Sequence, residues 1–189
     1  MRINLFILAT CLILILMAAP SFAMEIAGVK IPDSVSIGKE PLVLNGAGIR
    51  KKFVVKVYVG GLYLPRKEHN AERAIAANVP KRIQMDFLYK MVSREKMVKT
   101  WVTGFEDNLP IDSLEPLVDR IQIFCAMFED ARRGDTYIFD YMPGKGTYVF
   151  LNNDLKGVIK GHDFNQGLMR IWLGEHPADS GLKEGMLGL

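Results

Sequence analysis

Cysteine is almost missing from this chain: there are two in 189 residues, Cys11 and Cys125. Histidine is nearly as scarce. His69, His162 and His176 stand far apart, with no i,i+4 pair and no cysteine beside them, which excludes the common metal-site spacings. No G-x-S-x-G elbow and no P-loop occurs, and there is no internal repeat, linker or low-complexity segment. Charge of one sign is lacking too, since 24 Lys and Arg against 21 Asp and Glu give a formal net charge of +3. The basic residues come in scattered pairs (Lys51-Lys52, Arg66-Lys67, Lys81-Arg82, Arg132-Arg133) without interleaved aromatics, so no nucleic-acid partner is expected. Nothing in the sequence calls for a cofactor or a metal.

Long hydrophobic runs are also rare, and the single one is diagnostic. After Met1-Arg2-Ile3-Asn4 comes an uncharged, largely apolar stretch from Leu5 to Ala19, a breaker at Pro20 and then Ser21-Phe22-Ala23. This is the pattern of a secretory signal peptide over residues 1–23 with a small-x-small cleavage site, so the mature chain is expected to begin at Met24. The run is shorter than the about 20 apolar residues that cross a bilayer, so no stable membrane span is expected after cleavage. An uncleaved anchor is the alternative. Removing 23 of 189 residues leaves 166, the size of one domain. The leader takes away Cys11 and one basic residue, Arg2, so +3 becomes +2 and no intramolecular disulfide can form. Cys125 sits in the apolar stretch from Ile121 to Phe128, where a thiol behaves as a small core residue. A periplasmic or secreted location follows from the leader.

Hydrophobic periodicity then divides the mature chain. Leu42-Val43-Leu44, the turn-like Asn45-Gly46-Ala47-Gly48 and a run from Phe53 to Leu64 read as strand, tight turn, strand, with Val55, Val57 and Val59 on one face and Val54, Lys56 and Tyr58 on the other. Arg82 to Met91 alternates clearly. Thr136–Met142, Thr147–Leu151 and Leu155–Lys160, joined at Pro143-Gly144-Lys145-Gly146 and Asn152-Asn153-Asp154, read as an antiparallel meander with Lys145 at a hairpin tip. Helices are expected over Asn70–Ala77, from a Ser93 cap to Asn108, from Asp112 or Ser113 through Phe128 with Pro116 in the first turn, over Phe164–Leu173 and over Asp179–Met186. Strands and helices come in blocks without βαβ alternation. The expected class is therefore α+β, one large antiparallel sheet backed by a layer of helices.

Two stretches carry a resemblance. Leu44-Asn45-Gly46-Ala47-Gly48-Ile49-Arg50 running into Lys56–Leu64, and Ile171-Trp172-Leu173-Gly174-Glu175-His176 followed by Asp179, Leu182-Lys183 and Met186-Leu187-Gly188, resemble the chalcone isomerase superfamily, most of all its bacterial exported branch. The resemblance implies an open-faced β-sandwich over residues 24–189. It also implies that Arg50 faces a cleft between sheet and helices and binds an anionic or phenolate group. A guanidinium offers a planar fork of donors to a carboxylate, while the tail of an amphipathic ligand is buried beside it. Read from the residues alone, Arg50 is instead a solvated member of the Arg50-Lys51-Lys52 cluster at a hairpin end.

The ring-closing side chains of that superfamily are largely replaced: Tyr58 stands where it has Thr, Val92 and Lys99 where it has Tyr and Asn, and Ile171 at its late Thr or Ser position. The resemblance therefore implies an exported binder of an amphipathic small molecule such as a fatty acid, with Arg50, Tyr58 and Lys99 as its candidate ligand-binding residues and no assigned catalytic ones. Two other readings stay open. One is an intramolecular lyase acting on a chalcone-like or other unsaturated phenol; the other is a structural or partner-binding protein whose cleft is plugged by Met85, Met91 and Met97. A turn at Lys51-Lys52 sets Arg50 beside Phe53 or Val54, about four or five residues of ~3.4 Å from Tyr58, a span suited to a long ligand. Tyr58 is otherwise a half-buried strand aromatic and Lys99 an exposed helix residue.

Overall fold

In the computed structural model, which describes residues 22–189, one seven-stranded antiparallel sheet organises the chain. Its strands are β3 (Ser34–Ile37), β4 (Glu40–Lys52), β5 (Val55–Leu64), β6 (Lys81–Phe87), β9 (Thr136–Met142), β10 (Gly146–Leu151) and β11 (Asp154–Ile159), in spatial order β11-β10-β9-β6-β5-β4-β3. β1 (Phe22–Ile26) and β2 (Val29–Pro32) form a separate hairpin, and β7 (Met91–Val92) pairs with β8 (Ala131–Arg132). Sequence reading did not anticipate the first three strands. The proposed leader lies almost wholly outside the described residues, and β1 runs across the expected Ala23/Met24 junction.

One face of the sheet is covered by helices: α1 (Ala71–Ala76), α2 (Arg94–Asn108), α3 (Ile111–Leu114), a 3-10 turn (Glu115–Leu117), α4 (Val118–Ala126), α5 (His162–Leu173) and α6 (Ser180–Leu187). The main core between the layers is aromatic, with Trp101, Phe105, Phe124, Phe128, Phe139 and Trp172 in tilted and edge-on contact. A smaller core on the opposite face gathers Ile31, Ile37, Leu42, Leu44, Val59 and Tyr63. The expected α+β architecture is the observed one. Asn70, Ser93 and Asp179 cap their helices through side-chain oxygens, which is why those helix starts were legible. The helix expected through Phe128 is broken instead, because Pro116 has no N–H to give and sits in the 3-10 turn between α3 and α4.

The largest correction concerns Asn45-Gly46-Ala47-Gly48, which is strand interior and no turn. β4 stays paired with β5 from Val43 to Lys52, and the reversal falls at Phe53-Val54. Asn45 is bulged out of the ladder, and its buried amide donates to Met186 O (2.8 Å) and Glu68 O (3.0 Å) and accepts from Glu68 N (2.7 Å). The glycines serve close approach: a Cβ on Gly46 would collide with the Gly185 carbonyl, and one on Gly48 would come within 3.1 Å of Leu182 Cα. Helix α6 thus lies against strand backbone. The two stretches that carry the family resemblance are the two sides of this contact.

A second bulge changes the faces of β5. Arg50 pairs with Tyr58 and Lys51 with Lys56, leaving Val57 unpaired, so Val57 and Tyr58 both enter the helix-side core while Val59 goes to the other. The simple alternation expected from Val55 to Val59 fails there. β6 also ends earlier than expected: Lys81 to Phe87 alternates buried and half-buried, but the N–H groups of Leu88 and Tyr89 both turn to Val57 O (2.9 and 3.1 Å).

Candidate functional site

A cleft of about 800 Å3 opens between the tip of the β4–β5 hairpin and helix α2. Its sheet side is supplied by Arg50, Lys52, Phe53, Val55 and Val57, its helix side by Lys96, Lys99, Thr100, Thr103 and Asp107, and its floor by Ile171 and Ala178. Arg50, Val57, Val92, Thr100, Ile171 and Ala178 also line a recess of about 30 Å3, room for one water-sized group. Tyr58, Met85, Phe87, Met97 and Trp101 complete its walls.

Arg50 and Tyr58 are brought together more closely than the sequence reading allowed. They are direct cross-strand partners, and the guanidinium carbon lies 5.8 Å from the centre of the Tyr58 ring, within cation–π range. The expected separation of four or five residues came from placing the turn before Phe53. Arg50 Nε is buried with no hydrogen-bond partner among the described residues. Asp179 does not pair with it: its two oxygens accept from Lys51 N (2.9 Å) and Leu182 N (2.8 Å), which ties the start of α6 to the end of β4. In place of a half-buried aromatic, Tyr58 is 4% exposed, and its hydroxyl oxygen accepts the Trp172 indole N–H at 2.9 Å. Burial pushes its phenol up to about 12; the Arg50 charge and the Trp172 hydrogen bond oppose that rise, and Asp179 adds to it. The group therefore stays protonated at ordinary pH, and its proton remains available to an acceptor.

Lys99 lies on the outer cleft, exposed and absent from the inner recess. Lys52 and Lys96 stand on the same cleft, and Asp107 is its one carboxylate among the described residues. Sequence reading missed Trp101 and Trp172. Trp101 walls the recess with its indole N–H also buried and unpartnered, and Trp172 orients the Tyr58 hydroxyl. Trp172 lies inside the second family stretch, and Trp101 is in the helical stripe of α2; nothing local marks either as polar equipment. The methionines divide: Met85 and Met97 narrow the recess, while Met91 is 40% exposed on the outer wall and fills nothing.

Orphaned buried donors are rare in folded proteins. Here Arg50 Nε, Trp101 Nε1 and the Tyr58 hydroxyl proton all belong to side chains around one small recess, and none has a protein acceptor among the described residues. Such a set suits an oxyanion or a water at the deep end of an apolar-walled cleft. Among the described residues no cluster of His, Cys, Asp or Glu could hold a metal ion, and no helix is long and apolar enough to cross a membrane.

Comparison with known proteins agrees with this architecture. No curated protein matches the chain. Among solved structures, a fatty-acid binding protein of Arabidopsis thaliana is similar in fold, with a TM-score of 0.64 over 88% of this chain and 96% of that one, at 19% sequence identity. The family model described as chalcone isomerase-like matches residues 23–188, and the chain accordingly belongs to the chalcone isomerase-like family.

Proposed function

We propose that this protein binds an amphipathic carboxylate, with a fatty acid as the leading class, head group inward at Arg50 and Tyr58 and acyl chain along the apolar cleft. The observation that carries this reading is the buried, unpartnered Arg50 Nε set opposite a protonated Tyr58 at the end of a cleft of about 800 Å3. That volume is typical of a small-molecule site. The fold it shares with a plant fatty-acid binding protein supports the same class of ligand. Lys99, with Lys52 and Lys96, adds positive potential at the mouth and draws anions toward it.

Ring closure by an intramolecular lyase is less well supported, because Val92 and Ile171, which line the recess, stand where the family resemblance leads one to expect polar ring-closing side chains, and neither can hydrogen-bond a reacting substrate. Incubation with chalcones tests it by absorbance, and conversion above the spontaneous rate would favour the enzyme. We propose further that residues 1–23 are a cleaved leader and that the protein works in the periplasm or outside the cell; intact mass of the exported protein tests this.

The binding test is a calorimetric titration with a long-chain fatty acid. Arg50→Ala is expected to weaken binding by roughly 10- to 100-fold, the range for losing a charge-assisted hydrogen bond. Unchanged affinity would remove the proposal.

A further inference from the structure

The reversal between β4 and β5 leaves apolar surface where the fold has no use for it. Phe53 and Val54 are each 92% exposed, more than any other large hydrophobic residue described. Phe53 also holds a φ of 56°, a left-handed conformation that glycine or asparagine adopts at less cost than a bulky aromatic. Immediately behind the tip, Val55, Tyr89 and Met91 are 40 to 45% exposed on the wall of the cleft. The apolar tip and the cleft mouth thus form one continuous surface.

Cations surround it. Lys51, Lys52 and Lys56 are exposed on the two arms of the hairpin, and Lys96 and Lys99 face them from α2. None of these five lysine side chains makes a hydrogen bond or ion pair among the described residues, whereas Lys156, Arg120 and Arg170 elsewhere on the surface are all paired with carboxylates. An exposed aromatic and aliphatic pair inside a collar of unpaired lysines is complementary to an anionic bilayer: the side chains enter the acyl boundary and the ammonium groups meet the phosphates. A protein partner fits less well, since a stable protein interface needs roughly 800 Å2 on each side and the projecting tip is two side chains.

We propose that the β4–β5 tip and its lysine collar dock this protein on an anionic lipid surface, with the mouth of the cleft turned toward the bilayer. The contact stands on the exposed tip and its charge; only its purpose, passage of an amphipathic ligand between membrane and cleft, rests on the binding function proposed above. Such a path would spare the acyl chain a passage through water.

Val54→Trp supplies a reporter at the tip, because the native Trp101 and Trp172 are 3% and 1% exposed and insulated from the surface. Docking predicts a blue shift of the Val54→Trp emission on adding vesicles of phosphatidylglycerol in phosphatidylcholine, its loss at high salt, and no shift with phosphatidylcholine alone. Introducing Lys51→Glu with Lys56→Glu should weaken the vesicle response at least about tenfold. Fatty-acid affinity in vesicle-free buffer should fall far less than the vesicle response, as neither lysine side chain lines the cleft. An emission unchanged by anionic vesicles overturns the proposal, as does a blue shift that grows with protein concentration without lipid, which would assign the tip to a second copy of the chain. Retained fatty-acid binding without a vesicle shift defeats docking alone, and a vesicle shift without fatty-acid binding defeats the ligand assignment alone.

Discussion

At the scale of single residues, the site is a pair of opposed side chains whose charge states are insensitive to pH. A guanidinium is permanently charged, and the Tyr58 phenol, raised by burial to about 12, keeps its proton through the neutral and mildly alkaline range. Affinity for a carboxylate should therefore stay flat from about pH 6 to about pH 10 and fall only in acid, as the ligand's own carboxyl protonates near about 4 to 5. A titration series across that range checks this; a loss of affinity between about pH 6 and about pH 10 would contradict a site built on these two side chains. Tyr58→Phe removes the acceptor of the buried Trp172 N–H as well as the donor to the ligand. It should cost about 1–3 kcal/mol in thermal or urea unfolding besides weakening binding. Arg50 was legible as a candidate from its resemblance alone, but its pairing with Tyr58 was not, because a Gly-rich string looks like a turn until the helix that needs those glycines is in view.

Among the elements, α6 on β4 is the contact that sets the site's position. Gly46 and Gly185 let backbone meet backbone, and Asp179 clamps the start of α6 to Lys51, next to Arg50. Gly46→Ala should destabilise the protein by about 1–3 kcal/mol through overpacking, and Asp179→Ala by about 1 kcal/mol through loss of the cap, both read from unfolding midpoints. Lys81 offers a separate test at the other end of the sheet. Its ammonium is 1% exposed, donates to Ala74 O (2.9 Å) and Ile75 O (3.2 Å) at the end of α1, and is lowered by burial from 10.5 to about 8. Between those values the unfolded chain holds a proton that the folded chain has released, so stability should rise as pH climbs from about 8 to about 10, on the order of 2–3 kcal/mol. Lys81→Met should flatten that rise. Helix starts were readable because Asn70, Ser93 and Asp179 state them locally; the two bulges of β4–β5 were not, since they answer to distant partners, Met186 for Asn45 and the β6 end for Val57.

For the molecule as a whole, a sheet with helices on one face leaves an open end where the β4–β5 hairpin projects past the helix layer, and both the cleft and the exposed tip lie there. The class of fold was legible because antiparallel strands and amphipathic helices announce themselves by period, and the block order excludes a parallel sheet. The N-terminal strands were not, since β2 and β3 are four residues each with weak patterns, and they gain meaning only as cover for Val59 and Tyr63. A bound carboxylate should come to rest at the inner end of the cleft, between Arg50 and Tyr58. A crystal structure with a bound long-chain fatty acid tests it most directly: the account predicts a carboxylate oxygen within about 3 Å of both Arg50 Nε and the Tyr58 hydroxyl. A carboxylate held at the outer lysines, with the methyl end in the recess beside Trp101, would contradict it.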